Sequence, residues 1–290
     1  MPQIDEPLAR LRGEIDALDD AIHDLIVRRG AVVEEIGRLK AGSDAPIFRP
    51  GREAKLLRHI VARHTGSFPA AALVRIWREL MAASVGLQTP LSVAVCVPAG
   101  ETGYCQLARA HFGTVGRLAT YTSPGEVIGA VASHRFTIAV VPAPSLEDAD
   151  PWWRMLVGDD DARLPRVVAR LPVTGVAGGP SPDLAGMALA FTEPEPTGDD
   201  RSLVVVEVDD EVSRAAVTGA FGGVGLALVF MDSRAEPGGR LILAEIADFV
   251  AADDPRLAKI AAGGRLPVTA IHHLGAYPAP FEPSVLGITP

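Results

Sequence analysis

The stretch LARLRGEIDALDDAIHDLIVRRGAVVEEIGRLK, residues 8–40, decides the fold of the first part of this chain. Its apolar residues recur in alternating steps of three and four, and no proline interrupts them. This apolar seam consists of Leu8, Leu11, Ile15, Leu18, Ile22, Leu25, Val32, Ile36 and Leu39. The pattern predicts a helix of about 33 residues and roughly 50 Å in length. A helix of that length needs packing partners along its whole course.

Composition and charge place the chain among globular proteins and limit its partners. It has 290 residues, of which 48% are hydrophobic and 22% charged, so it is long enough for more than one domain. No run of about 18 apolar residues occurs, so no association with a membrane is expected. The N-terminal residues are polar and acidic, without an apolar signal core, which favours a cytoplasmic location. The net charge of −9 argues against nucleic acid as a partner.

Two shorter helices complete an all-helical first domain, which is predicted over residues 1–90. One helix starts near Gly51 and ends near His64, and the other covers about residues 69–87. Both carry apolar residues at three- and four-residue spacing, so each has one face that packs into a core. Pro90 then ends the domain.

After residue 90 the pattern changes to strands that alternate with helices. LSVAVCVPAG is typical of a buried strand and GYCQLARAHFG of a helix, so residues 91–198 are predicted to form an α/β domain. Residues 199–282 follow the order strand–helix–strand–strand–helix–strand, which is typical of a ferredoxin-like unit. Residues 283–290 are predicted to form a loose tail.

Cationic side chains on the first helix indicate a site for a small anion. Arg29 falls on the apolar seam, where a guanidinium costs free energy unless it is paired. One interpretation is that Arg29 extends to solvent or pairs with an acid of another helix. Lys40 lies 11 residues further along. That spacing is three turns plus about 20°, so Lys40 shares the face of Arg29.

Polar side chains from the other two helices could join these cations. Ser84 and Gln88 are four residues apart on the third helix and therefore share a face. Arg52 and Glu53 stand at the start of the second helix. If these groups converge inside the helical domain, they form a site for a small dianion.

The position of Arg12 in the sequence predicts that two copies of the chain share this site. It lies 17 residues before Arg29. That separation is about 25 Å along a straight helix, so both cannot contact one small molecule from the same chain. Antiparallel pairing of two first helices would bring Arg12 of one copy near Arg29 and Lys40 of the other. The sequence therefore predicts an intertwined homodimer.

These segments resemble the all-helical AroQ-type chorismate mutases. The resemblance covers residues 8–90 and includes the stretches PIFRPGREAKLL and ASVGLQ. It implies the conversion of chorismate into prephenate, an intramolecular pericyclic rearrangement that requires no cofactor and no metal. It also implies that Arg29 and Lys40 bind the substrate carboxylate and the ether oxygen. Gln88 would face the ether oxygen beside Lys40.

The resemblance implies roles for the remaining site residues as well. Glu53 would hold the substrate hydroxyl, and Arg52 and Ser84 would bind the substrate. Arg12 would reach across the dimer to the substrate in the site of the other chain. Some members of the family have an acid where Arg49 stands, so Arg49 is assigned no catalytic role.

Residues 91–290 resemble the rest of the bifunctional chorismate mutase–prephenate dehydratases, but the functional motifs are eroded. The family's IENS is APSL at 143–146, and the nearest counterpart of its TRF is FTEPEP at 191–196. The sensing ESRP of the family's ACT domain becomes DSRA, which retains Ser233 and Arg234 as candidate regulatory residues. We therefore expect no dehydratase activity.

Two other interpretations of the second half remain open. In one, the enzyme is still bifunctional and keeps dehydratase activity. In the other, the second half is a regulatory binding module for an aromatic amino acid or a partner enzyme, and the mutase is weak without it.

Overall fold

The first part of the chain is helical, as predicted. In the computed structural model the described residues are 5–42, 46–99, 101–114, 116–158, 163–174, 184–263 and 266–288. The first three helices are α1 (Asp5–Lys40), α2 (Pro50–Arg63) and α3 (Ala70–Gly86). Pro50 stands in the first turn of α2, where its fixed φ favours helix initiation and no internal N–H is lost. The sequence therefore located these helices within a few residues, and α1 begins one turn earlier than its seam.

Most of α1 projects without a packing partner among the described residues of the single chain. Its apolar seam is exposed, with Leu18 at 62% and Leu25 at 63% of full accessibility. Val33 is its buried residue, and it lies near the C-terminal end where α2 and α3 approach. Outside this C-terminal end, the partners that the long helix was predicted to need do not come from the described part of its own chain.

The remainder of the described chain is built on one nine-stranded sheet. Its strands are β1 (Ser92–Cys96), β2 (Arg117–Tyr121), β3 (Ile138–Pro142), β4 (Arg166–Leu171), β5 (Gly186–Ala190), β6 (Asp200–Val208), β7 (Leu228–Glu236), β8 (Gly239–Ile246) and β9 (Val268–Pro278). The helices are α4 (Gly103–Phe112), α5 (Pro124–Ala132), α6 (Arg214–Gly222) and α7 (Pro255–Ala262). The strand order is β2-β1-β3-β5-β4-β9-β6-β8-β7. The predicted combination of a helical domain with an α/β region is confirmed.

The predicted ferredoxin-like order is also confirmed. The chain runs β6, α6, β7, β8, α7, β9, and the strands lie in the order β9-β6-β8-β7 with every neighbouring pair antiparallel. At the other end of the sheet, β1 pairs in parallel with both β2 and β3, as strands joined by crossover helices do. Between them, β4 and β5 occupy a region that the sequence pattern left unassigned.

A parallel contact between β4 and β9 makes the sheet continuous. At the junction, Gly275 pairs with Val167, and a Cβ on Gly275 would lie 2.2 Å from the carbonyl oxygen of Val167. Glycine is therefore required there, because any side chain would separate the two strands. The sheet runs across the predicted boundary between residues 198 and 199. The boundaries at residues 90, 198 and 282 stay predictions.

The prediction of a loose tail was wrong for the residues that the structure describes. Pro283–Leu286 forms a short 3-10 helix, and the side chain of Leu286 is 2% exposed. It packs in a core cluster with Leu57, Val74 and Met81 of the helical domain. The tail covers an apolar surface of α2 and α3, and the hydrophobic effect favours its burial there. Sequence patterns could not pair this surface with a segment so distant in the chain. Residues 289–290 lie outside the described residues.

No helix among the described segments combines the length and the hydrophobicity needed to cross a membrane. The cytoplasmic location stays a prediction.

Candidate active site

A cavity of about 320 Å³ lies where the C-terminal end of α1 meets α2 and α3. Its polar lining consists of Arg29, Lys40, Arg49, Arg52, Glu53, Ser84 and Gln88. Its apolar lining consists of Val33, Ile36, Ile47, Leu56, Met81 and Val85. The volume falls within the range of about 300–1,000 Å³ that is usual for small-ligand sites. The structure therefore brings together the catalytic and substrate-binding residues that the sequence predicted, except Arg12; the candidate regulatory residues Ser233 and Arg234 do not line this cavity.

Arg29 reaches α3 from the seam of α1. Its Nη1 donates hydrogen bonds to Ser84 Oγ and, at 3.4 Å, to the carbonyl oxygen of Leu80. The hydroxyl of Ser84 in turn donates to the same carbonyl at 2.6 Å. Both partners of Arg29 are uncharged, and the described residues include no acid paired with it. The guanidinium therefore keeps its net positive charge inside the cavity.

Gln88 presents a neutral amide whose orientation is fixed by α3. Its Nε2 donates to the carbonyl oxygen of Ser84 at 3.0 Å, and Oε1 is buried with no hydrogen-bond partner among the described residues. Because a carbonyl can only accept, Nε2 is the atom that faces Ser84, and its second N–H remains for another acceptor. A Cβ on Gly37 would lie 3.1 Å from Gln88 Cγ, so glycine permits α1 to pass close to this side chain.

Lys40 ends α1 and supplies a cation at the rim of the cavity. Its Nζ donates to the carbonyl oxygen of Pro46 at 2.7 Å. A cation in the last turn of a helix is favourable because it faces the unpaired carbonyls at the negative end of the helix dipole. Lys40 and Arg29 line the same cavity, as their spacing on one helix face predicted.

The carboxylate of Glu53 is held by a buried arginine, Arg78. Arg78 Nη1 donates to Glu53 Oε2 at 2.8 Å, and these side chains are 6% and 13% exposed. Arg78 also donates through Nε, at 2.9 Å, and through Nη2 to the carbonyl oxygen of His111 in α4. Burial, and next the charge of Arg78, hold the pKa of His111 well below its usual range. A line of polar contacts therefore connects the cavity to the α/β region.

Arg78 is a residue that the sequence reasoning missed, although a signal was present. It falls with Val74, Met81 and Val85 on the buried face of α3. That placement is the same anomaly that singled out Arg29 on α1, namely a guanidinium at a core position.

Arg49 and Arg52 both stand at the start of α2 and line the cavity, but they differ in their contacts. Arg52 is exposed, and its guanidinium makes no hydrogen bond in the described part of the chain. Arg49 donates through Nε and Nη2 to Glu195 Oε1 at 2.9 and 2.6 Å. Arg49 thus lines the cavity while a residue from the α/β region holds it, a contact that the sequence did not predict.

Arg12 and the candidate regulatory residues lie elsewhere. Arg12 is exposed on the projecting part of α1 and does not line the cavity of its own chain. Arg234 Nε donates to Asp232 Oδ2 at 2.9 Å, and Ser233 Oγ accepts from Arg240 Nη1 at 3.4 Å. The regulatory role of Ser233 and Arg234 stays a prediction.

Sequence comparison agrees with the geometry for the helical domain. Residues 11–89 match the family model described as chorismate mutase type II. A bifunctional chorismate mutase/prephenate dehydratase of Stutzerimonas stutzeri is 33% identical over 142 residues, which cover 47% of this chain and 39% of that protein. The corresponding protein of Neisseria gonorrhoeae is 37% identical over 110 residues, covering 38% and 30%. The matched parts therefore span less than half the length of these relatives.

The solved structures with similar chains include a chorismate mutase and a prephenate dehydratase. A chorismate mutase of Thermus thermophilus is 33% identical, with a TM-score of 0.28, and the match covers 28% of this chain and 93% of that one. A prephenate dehydratase of Arthrobacter aurescens in complex with L-Phe is 16% identical, with a TM-score of 0.48, and covers 67% of this chain and 91% of that one.

Proposed function

We propose, from the match of residues 11–89 to the chorismate mutase type II family, that this protein converts chorismate into prephenate. The observation that carries the proposal is the convergence of Arg29, Lys40, Arg52, Glu53, Ser84 and Gln88 on one cavity. Prephenate is the branch-point precursor of phenylalanine and tyrosine, so the reaction belongs to the biosynthesis of aromatic amino acids.

The chemistry requires positioning and charge stabilisation, and these residues provide both. Chorismate is a flexible dianion that must be held in the folded conformer in which its ends react. Arg29 and Arg52 are cations that can bind its carboxylates, and Glu53 keeps Oε1 available for the substrate hydroxyl. As the ether bond breaks, negative charge grows on the ether oxygen. Lys40 and the free N–H of Gln88 are the donors that stabilise this charge.

The test of this function is a turnover assay with the purified full chain. The expected result is loss of the ultraviolet absorbance of chorismate with formation of prephenate, without added metal or cofactor. Absence of turnover under saturating chorismate would refute the proposal.

The exposed seam of α1 supports an intertwined homodimer as part of the proposal. Leu11, Ile15, Leu18 and Leu25 are each at least 45% exposed in the single chain. A second copy of α1 would remove this apolar surface from water. In an antiparallel pairing, Arg12 would then complete the cavity of the other subunit.

Mixed dimers test the predicted contribution of Arg12. We expect Arg12→Ala to lower kcat/KM by about tenfold or more, because one charged contact with the dianion is lost. When Arg12→Ala and Arg29→Ala chains are co-expressed or refolded together, hybrid dimers carry one site with both arginines intact. Activity should therefore rise towards about a quarter of the wild-type level in a statistical mixture.

The mixing experiment decides whether Arg12 of one subunit contributes to the active site of the other. If Arg12 served its own chain, or served no site, mixing would restore nothing beyond the average of the two variants. Arg10→Ala is the matched control, since Arg10 lies on the same helix and pairs with Glu14 instead of lining the cavity. That variant should keep wild-type turnover and the dimeric mass.

The second half of the chain is proposed to lack dehydratase activity. The FTEPEP segment at 191–196, the nearest counterpart of the family's TRF motif, packs against α2 through Glu195. The dehydratase-like region looks several tens of residues shorter than in the family that it resembles, and between β3 and β6 its described residues hold only two strands. Purified protein given prephenate at neutral pH should form no phenylpyruvate, and its formation would refute this part.

A further inference from the structure

The segment 191–199 of the α/β region lies along the start of α2 and is fixed there at several points. Thr192 Oγ1 donates to the carbonyl oxygen of Phe48 at 3.4 Å. Arg58 of α2 donates to Thr197 Oγ1 at 2.5 Å and to the carbonyl oxygen of Asp199 at 2.5 Å. These contacts join residues that are more than 130 positions apart in the chain. The segment is therefore part of the wall around the N-terminus of α2.

Glu195 occupies the closest approach of this segment to α2. A Cβ on Gly51 would lie 3.0 Å from Glu195 Cβ and 3.1 Å from the carbonyl oxygen of Glu195. Glu195 is flanked by Pro194 and Pro196, whose rings restrict the backbone on both sides. The absence of a side chain at Gly51 and the two prolines therefore define where the Glu195 carboxylate stands.

The carboxylate of Glu195 holds two donors of Arg49 and leaves others free. Nε and Nη2 of Arg49 both donate to Glu195 Oε1, and Nη1 has no hydrogen bond among the described residues. The guanidinium carries five N–H donors in one plane, so fixing one edge sets the direction of the other. Arg49 lines the cavity that contains Arg29, Lys40 and Arg52.

We propose that Arg49 is a further substrate-binding cation, beside Arg29, Lys40 and Arg52 of the same chain, and that Glu195 is its positioning residue, supplied to the mutase cavity by the α/β region. The inference rests on the proposed function, because it names a further contact for the same dianion. Arg49 would bind a carboxylate of chorismate through its free edge. Glu195 would act through Arg49 and would not touch the substrate.

The test compares Glu195→Gln with wild type in the full chain. We expect KM for chorismate to rise roughly tenfold while kcat changes by less than about twofold, because an unheld arginine binds the substrate less well. Arg49→Gln should raise KM at least as much. Glu195→Asp, which keeps the charge, should give an intermediate KM. Glu193→Gln is the matched control, since Glu193 is exposed on the same segment and does not contact Arg49.

A double-mutant cycle separates positioning from a structural role. In the Arg49→Gln background, Glu195→Gln should have no further effect on KM, since the group it positions is gone. An additive effect would overturn the proposal, and so would a thermal midpoint that falls in parallel with the rise in KM. A KM that falls in Glu195→Gln would also overturn it, because it would mean that Glu195 only neutralises positive charge.

The outcomes distinguish this inference from the function on which it rests. If the wild type turns over chorismate and Glu195→Gln has the wild-type KM, the inference fails alone. If the wild type does not turn over chorismate, both fail.

Discussion

Replacing Arg29 by alanine is expected to lower kcat/KM for chorismate by roughly a thousandfold, measured by the loss of chorismate absorbance. Arg29 is the cation of the cavity that two α3 contacts hold in place, and its partners are uncharged. Its charge is therefore available to a substrate carboxylate, in surroundings that are partly shielded from water. Loss of a preorganised charge in such a place costs more than loss of an exposed ion pair.

The control for Arg29→Ala is the same substitution at the neighbouring residue, Arg28. Arg28 is exposed and does not line the cavity, although it carries the same charge one position earlier. Arg28→Ala should keep kcat/KM within about twofold of wild type, because long-range surface charge is screened by salt. Arg29→Ala should remain folded, since Ser84 keeps its bond to Leu80 when the guanidinium is removed. Equal effects of the two substitutions would contradict the assignment of Arg29.

Gln88→Glu is expected to convert a flat pH profile into one that falls steeply as pH rises. The wild-type amide needs no protonation to donate, so kcat/KM should vary little between about pH 6 and 8. A glutamic acid at this position can donate only while protonated. Its protonated form dominates below its pKa, ordinarily near 4.3 and higher when the group is buried. Above that pKa a carboxylate would repel the charge that develops on the ether oxygen.

The expected size of this effect at neutral pH is a loss of about a hundredfold or more, with recovery as the pH is lowered. The measurement is kcat/KM for wild type and variant over a series of buffers of equal ionic strength. Gln88→Leu is the companion control, because it removes the donor at every pH and should be slow without recovery. A flat profile for Gln88→Glu, or a wild type that loses rate between about pH 6 and 8, would contradict the role of Gln88.

The parts of the fold and the site that the sequence predicted are those that depend on local periodicity. The seam of α1 and the faces shared by Arg29 with Lys40 and by Ser84 with Gln88 follow from helix geometry, which acts over a few turns. The order of the ferredoxin-like unit follows from strands and helices that alternate clearly along the chain. In each case the information lies within one segment or within neighbouring segments.

The parts that were missed depend on contacts between distant segments. Glu195 meets Arg49 across 146 positions, and Leu286 packs on α2 and α3 from the far end of the chain. No periodicity marks such pairs, because the hydrophobic effect and charge pairing act on whichever surfaces the fold brings together. Arg78 is different, since its position on the buried face of α3 gave a local signal that could have been used.

The measurement that tests the central claim most directly is the rate of chorismate loss with purified full-length protein, with Arg29→Ala assayed alongside. We predict rapid conversion to prephenate by the wild type and near-background loss with the variant. Equal rates for the two proteins, or no turnover by the wild type, would contradict the account of this cavity as a chorismate mutase site.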